Sequence, residues 1–210
     1  MMSSRIDRVS EAADVLSRAM VDEPFSRWLL PDPAEFLAVH RDLFAALIRL
    51  ALDEGRVDTW GEPIVGVAVW LHRPAVPPEG QRAAPSLGGS SPFPAHAHER
   101  VERFAAVLRN LRERARPDEH AYLDTIAVLP GHRRQGIATR LLEPGHAWAD
   151  AKGLPCALDT ETASNVAFYA RRGYTVVAEL PLPGSDLTVT SMRRRERPRG
   201  RTAAHAAQGS

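Results

Sequence analysis

The residues best suited to holding a charged group lie between Pro130 and Arg140, in the stretch PGHRRQGIATR. A β-favouring run, Tyr122 to Leu129 with Asp124 as its one charge, leads into this stretch. Pro130 and Gly131 stop the strand, since proline has no N–H for the ladder and glycine takes unusual dihedrals. Good helix formers follow Gly136, so the segment reads as strand, turn and helix. The first amides of a helix have no internal partner and sit at the positive end of its dipole, which makes them an anion site. Gly136 and Ala138 leave room for a phosphate to reach the backbone. Arg133, Arg134 and Arg140 add positive charge. Gly131 and Gly136 have the glycine spacing of a nucleotide-binding P-loop, but Ile137 and Ala138 stand where Lys and Ser/Thr are required, which excludes a nucleoside triphosphatase. No G-x-G-x-x-G occurs, which disfavours a dinucleotide fold.

Other chemistry-bearing residues are fewer. His96 and His98 are two apart beside Glu99 and would face different sides of a helix with no evident third ligand, so no metal is expected. Cys156 is the single cysteine. It follows Pro155 at the start of a strand with no evident base, and core packing is its expected role. The absence of any disulfide partner agrees with a cytoplasmic location. MMSSRIDRVSEAADV lacks a hydrophobic signal core. No apolar run reaches the roughly 18 residues of a membrane span. The chain holds 27 basic and 26 acidic side chains. Residues 193–210 carry six arginines and one glutamate, leaving the rest of the chain about four charges negative. That Arg-rich tail, 194–210, is expected to be disordered, and neither nucleic acid nor a membrane is the expected partner.

Other elements must hold the phosphate-binding turn in place. Glu11 to Met20 has helical spacing. Phe25, Trp28, Leu29 and Leu30 form a short apolar turn between proline breaks. Phe25 and Trp28 either pack in the core or form one wall of an acceptor pocket. A longer helix is expected over Ala34 to Asp53, with Phe36, Leu37, His40, Leu43, Phe44, Leu47 and Leu50 as its buried stripe. Arg56 to Trp60 and Ile64 to His72 form a hairpin, the second strand central. Pro74 to Pro94 is too rich in Pro, Gly and Ser for a regular element. Helical periodicity returns from Ala95 to Arg116. After the central strand and its helix, which contains Pro144-Gly145 and ends at Gly153, come a strand from Cys156 to Asp159, a two-turn helix from Asn165 to Arg172 capped by Gly173, and two paired strands, Tyr174 to Leu180 and Leu187 to Met192. The fold class expected is α/β (α+β): a mixed central sheet of about 6–7 strands flanked by helices, in one domain over 1–193.

Arg133-x-x-Gly136-x-Ala138, after a strand ending Ala127-Val128-Leu129-Pro130, resembles the coenzyme A signature of the GNAT family of N-acetyltransferases. A second stretch, LDTETASNVAFYARRGY from Leu158 to Tyr174, resembles the family's Asn followed by Tyr and then Gly-Phe, with Tyr174 in place of the Phe. The element order over residues 10–193 is similar too. Within the family the chain most resembles the puromycin N-acetyltransferase-like branch, through the Asn-x-x-x-Tyr spacing, Leu-x-Pro-Gly at Leu142 to Gly145, and a long helix before the central strand.

The resemblance implies a GNAT acyl-CoA N-acyltransferase fold, with its coenzyme-binding core at about 118–180, and an acetyl-CoA-dependent N-acetyltransferase. The coenzyme's pyrophosphate would sit on the amides of Arg134, Gln135, Gly136, Ile137, Ala138 and Thr139. Its pantetheine would add as a strand to the exposed backbone of Ile126, Ala127 and Val128. A bulge over Asp124 to Ala127 would part the strands there. Asn165 would hold pantetheine amides, and Tyr169, one helical turn on and on the same face, would protonate the departing thiolate. Asp159 holds the place of a catalytic acidic residue in some relatives, with Glu161, Asp124 and His120 as alternatives for the base. The acceptor is expected to be a primary amine of a small molecule. A protein lysine, a non-catalytic coenzyme-binding module and a homodimer stay open.

Overall fold

Among the described residues, the Pro and Gly breaks noted above fall between six α-helices and six strands. The computed structural model describes residues 2–75, 91–115 and 118–196. In chain order the elements are α1 (Met2–Met20), α2 (Pro24–Leu29), α3 (Pro33–Glu54), β1 (Gly55–Trp60), β2 (Gly66–Arg73), α4 (His98–Ala115), β3 (His120–Val128), α5 (Ile137–Lys152), β4 (Cys156–Thr160), α6 (Ala163–Ala170), β5 (Thr175–Pro181) and β6 (Thr188–Arg194). The strands form one mixed sheet in the order β1-β2-β3-β4-β6-β5. Among the described strands only the β3–β4 pairing is parallel.

The apolar run of β2 is explained by burial on both faces. Ala68 and Trp70 join the cluster under α5, with Leu123, Ile137 and Leu141. Val67, Val69 and Leu71 point the other way and pack on Ala12, Leu16 and Ile48 of α1 and α3. Phe25 and Trp28 of α2 meet α4 over the last hairpin, against Leu182 and Val189. Asp32 caps α3, its carboxylate accepting the Ala34 N–H at 2.9 Å.

Pro144-Gly145 inside α5 has a packing reason. A Cβ at Gly145 would stand 2.1 Å from Nε1 of Trp70, so only glycine lets this helix settle on the fully buried indole. The helix continues through Pro144.

Four expectations need correction. α1 begins well before Glu11. The stripe of α3 is rotated: Phe36, His40, Ala45, Ile48 and Ala51 are buried, whereas Leu50 is exposed, because α3 turns its small Ala45 and Ala51 toward α1 and the sheet. The last strand pairs with β5 as expected but also inserts against β4. It runs through Arg194, so the tail cannot start there. Arg194 is buried and grips Asp150 of α5 at 2.8 and 3.0 Å, and Arg193 pairs with Asp118. The remainder of the tail, 197–210, and most of the Pro/Gly-rich segment, 76–90, lie outside the described residues. No described helix is long and apolar enough to cross a membrane.

Candidate active site

β3 ends at Val128, and a single 3₁₀ turn, Pro130–His132, reverses the chain toward α5. Arg134 and Gly136 both take left-handed backbone conformations, with φ of 62° and 78°. Gly136 is the N-cap of α5, and no side chain caps the helix. Its first intrahelical bond is Arg140 N–H to the Gly136 carbonyl, so the amides before Arg140 have no helical acceptor. A Cβ on Gly136 would meet no atom within 4 Å, so the backbone here faces open space. By contrast α6 is capped: Thr162 Oγ1 accepts the Asn165 N–H at 3.3 Å. The bare end of α5 fits the phosphates of a coenzyme.

The arginines do not all serve that end. Arg133 turns away: its guanidinium donates to the carbonyls of Val128 (3.1 Å) and Ala19 (2.7 Å) and pairs with Glu23 at 3.2 Å. It ties the end of β3 to the end of α1, and only its backbone is left for a phosphate. Arg134 is exposed, and Arg140 lies 5.3 Å from the Trp60 ring centroid.

The second feature is a split in the sheet. β3 and β4 pair at Ala121–Cys156 and Tyr122–Ala157 and nowhere further along. On the other side β3 stays paired with β2 as far as Val128. Val69 faces Thr125 and Trp70 faces Leu123, which leaves Asp124 as the extra residue of a bulge. The bulge lies within the expected Asp124 to Ala127. Beyond it, the backbone of Ile126, Ala127 and Val128 has no strand partner on the β4 side, so an extended, amide-bearing ligand arm could pair there.

Carboxylates gather near this opening. Asp124 is half-buried and its pKa is pushed up to about 6, by burial first, with Arg73 at 3.8 Å opposing and the charge of Asp159 adding. Burial pushes Glu161 up to about 7, helped by Asp159 and Glu23. Asp159 accepts the Tyr122 hydroxyl at 2.9 Å. Tyr169 is buried, edge-on to Phe168 and Tyr174, and its hydroxyl makes no hydrogen bond to any described residue. Burial and the Glu161 charge raise its pKa, so the phenol keeps its proton. Asn165 is exposed one turn before it.

Two candidates fall outside this group. His120 is buried at the closed end of β3, its Nδ1 2.7 Å from the Asp118 carbonyl. Cys156 is buried in the last paired rungs beside Arg194, and burial raises its thiol pKa. Neither reaches the split: Cys156 belongs to the zipped part of the β3–β4 ladder, and His120 precedes that ladder, paired with Arg73 of β2. Phe25 and Trp28 are half-buried. The Phe25 ring is 4.4 Å from Phe104, and Trp28 Nε1 donates to the Gly184 carbonyl at 2.9 Å, which locks α2 to the last hairpin. Among the described residues no group of three His, Cys, Asp or Glu is arranged to hold a metal.

Sequence reading missed three members of the site: Glu23, Arg73 and Tyr122. Each arrives through tertiary pairing, and no local spacing announces it.

The sequence model of the acetyltransferase (GNAT) family matches residues 90–174, the segment that contains the bulged strand, the bare helix end, Glu161 and Tyr169. Solved structures share the fold over nearly the whole chain. One is a Corynebacterium glutamicum protein described as histone acetyltransferase HPA2 and related acetyltransferase, 20% identical, with 92% of this chain and 94% of that one aligned at a TM-score of 0.60. Another is the C-terminal condensation domain of Ebony in complex with beta-alanyl-dopamine, 10% identical, covering 91% and 95% at a TM-score of 0.64. A third is the PaiA N-acetyltransferase of Thermoplasma acidophilum in complex with coenzyme A, 11% identical, covering 90% and 94% at a TM-score of 0.53. The chain therefore has the GNAT acetyltransferase fold, and its segment 90–174 matches that family in sequence.

Proposed function

We propose that the protein moves the acetyl group of acetyl-CoA onto a primary amine of a small molecule. The observation that carries this reading is the parting of β3 from β4 beside an uncapped helix N-terminus. Acetyl-CoA would supply an activated acyl thioester. The amides of Arg134 to Thr139 would hold its phosphates, and Ile126, Ala127 and Val128 its pantetheine arm. Backbone N–H groups at the same edge are placed to stabilise negative charge on an acyl oxygen.

The remaining tasks are proton transfers. An amine with a pKa of about 9 is mostly protonated at neutral pH and must lose a proton before it attacks. Glu161, with its pKa lifted to about 7, is a better base than Asp159, which is engaged by Tyr122. Tyr169 keeps its proton, and its hydroxyl, without a hydrogen bond to any described residue, would be the donor to a leaving thiolate. The carboxylates of Asp124, Asp159 and Glu161 favour a cationic acceptor. Phe25 and Trp28, fixed over the last hairpin, would contribute an apolar wall.

The structural neighbours include a domain holding beta-alanyl-dopamine and a protein described as a histone acetyltransferase, so they support a small amine without selecting it. The likeness to the puromycin N-acetyltransferase-like branch rests on the sequence features alone, one of which, Gly145, is also required by Trp70. The reading is tested by following thiol release from acetyl-CoA across a panel of neutral, cationic and anionic amines and a lysine-bearing peptide. Turnover with cationic small amines is expected. Turnover with the peptide alone would overturn the small-molecule acceptor, and binding without any turnover would overturn the enzyme reading.

A further inference from the structure

A cleft of about 360 Å³ runs along the flank of α5, starting at Thr139 in its first turn and extending to Asp150. Two guanidinium groups line it, and they differ. Arg194 is neutralised by its double hydrogen bond to Asp150. Arg172 has no carboxylate within ion-pair distance among the described residues. It donates to the Phe168 carbonyl at 2.6 Å and to Thr139 Oγ1, and lies 3.5 Å from the Phe168 ring centroid. Its Nε is buried with no hydrogen-bond partner. Burial lowers the pKa of Arg172, and the like charge of Arg171, exposed beside it, lowers it further. Arg56, Arg73, Arg133 and Arg193, by contrast, each have an acidic partner. A rigid cation held at the mouth of a cleft without a counter-ion is arranged for an anionic ligand.

The position identifies the anion. Thr139 ends the run of amides expected to hold the coenzyme's pyrophosphate and also begins this cleft. Beyond its pyrophosphate, coenzyme A carries an adenosine with a 3′-phosphate. We propose that Arg172, supported by Arg171, receives that 3′-phosphate at the Thr139 end of the cleft and makes binding selective for coenzyme A over its dephospho form. Glu143 lies one turn further along α5 in the same cleft and repels a phosphate from its deeper part, which confines the phosphate to the Arg172 end. This proposal rests on the acetyltransferase reading above.

The test is calorimetric titration of coenzyme A and of 3′-dephospho-coenzyme A into the wild-type protein and into Arg172→Gln and Arg172→Lys. The wild type should bind coenzyme A at least about tenfold more tightly than the dephospho compound, as expected for a charge-assisted contact. Arg172→Gln should weaken coenzyme A to the level of the dephospho compound, whose own affinity should stay within about twofold, which also reports an intact fold. Arg172→Lys should keep part of the preference. A wild type without preference, or a glutamine variant that weakens both ligands alike, would overturn the proposal and leave Arg172 as a clamp between α6 and α5. No binding of either compound by the wild type would instead overturn the acetyltransferase reading itself.

Discussion

The two ends of β3 do different work. Near its start, at Ala121 and Tyr122, the strand is paired on both sides, and His120 and Cys156 beside these rungs are buried. Past the Asp124 bulge the same strand is paired with β2 alone. Carboxylates with raised pKa values, a tyrosine hydroxyl with no hydrogen bond to a described residue and an uncapped helix all lie around this second end. Reactive groups collect where the ladder stops. A closed sheet uses up its backbone hydrogen bonds, whereas an opened one leaves them for a ligand.

The largest effect separating the two behaviours is expected at Gly136. Glu at this position would place a negative charge where phosphate should bind, so Gly136→Glu should weaken acetyl-CoA binding at least about 100-fold, some 2.7 kcal/mol. Gly153→Glu is the matched control. Gly153 also has a positive φ, 68°, and open space around it, but caps the far end of α5. Both variants should lose about 1–2 kcal/mol of stability from the left-handed backbone. Only the first should lose the coenzyme. Equal loss in both would mean that strain, not the phosphate site, was being measured.

Next in size is the acid. Tyr169→Phe should lower kcat about 100-fold with the acetyl-CoA affinity within twofold. Steady-state kinetics beside calorimetry would check both halves, and an unchanged kcat would remove Tyr169 from the proton path.

Glu161→Gln should lower kcat/KM about tenfold or more. The wild-type kcat/KM should rise with pH and level off above about 7, since the base acts only when deprotonated, and the variant should lack that limb. Stability should run the other way. The folded protein holds the Glu161 proton more tightly than the unfolded chain, so wild-type stability falls as pH rises from 4.5 to about 7. Denaturant unfolding across that range should show a shallower fall in the glutamine variant. The smallest effect belongs to the closed end: Cys156→Ala should keep kcat within twofold and cost only stability. A large fall in kcat would bring the thiol into the chemistry.

Much of this was legible in the sequence, and unevenly so. Pro130, Gly136, Gly153 and Gly173 mark real boundaries because each imposes a backbone constraint that packing cannot override. The bulge falls at Asp124, where a lone charge interrupts an apolar strand. Arg194 was read as tail because nothing local reveals that Asp150, 44 residues away, supplies its counter-charge. Leu50 was placed in the core because periodicity sees only size, whereas α3 buries Ala45 and Ala51 where it meets α1 and the sheet. The contact that sets Asp159 apart from Glu161 was likewise out of reach. It turns on the Tyr122 hydroxyl, which comes from the neighbouring strand.

The most direct test of the opened strand as the coenzyme site is amide hydrogen exchange with and without acetyl-CoA, read residue by residue. Exchange should slow at Ile126, Ala127 and Val128 and at Arg134 to Thr139, with no change at Ala121 and Tyr122, where β3 is already paired on both sides. Slowing confined to other segments, or the absence of any slowing at saturating acetyl-CoA, would contradict the account.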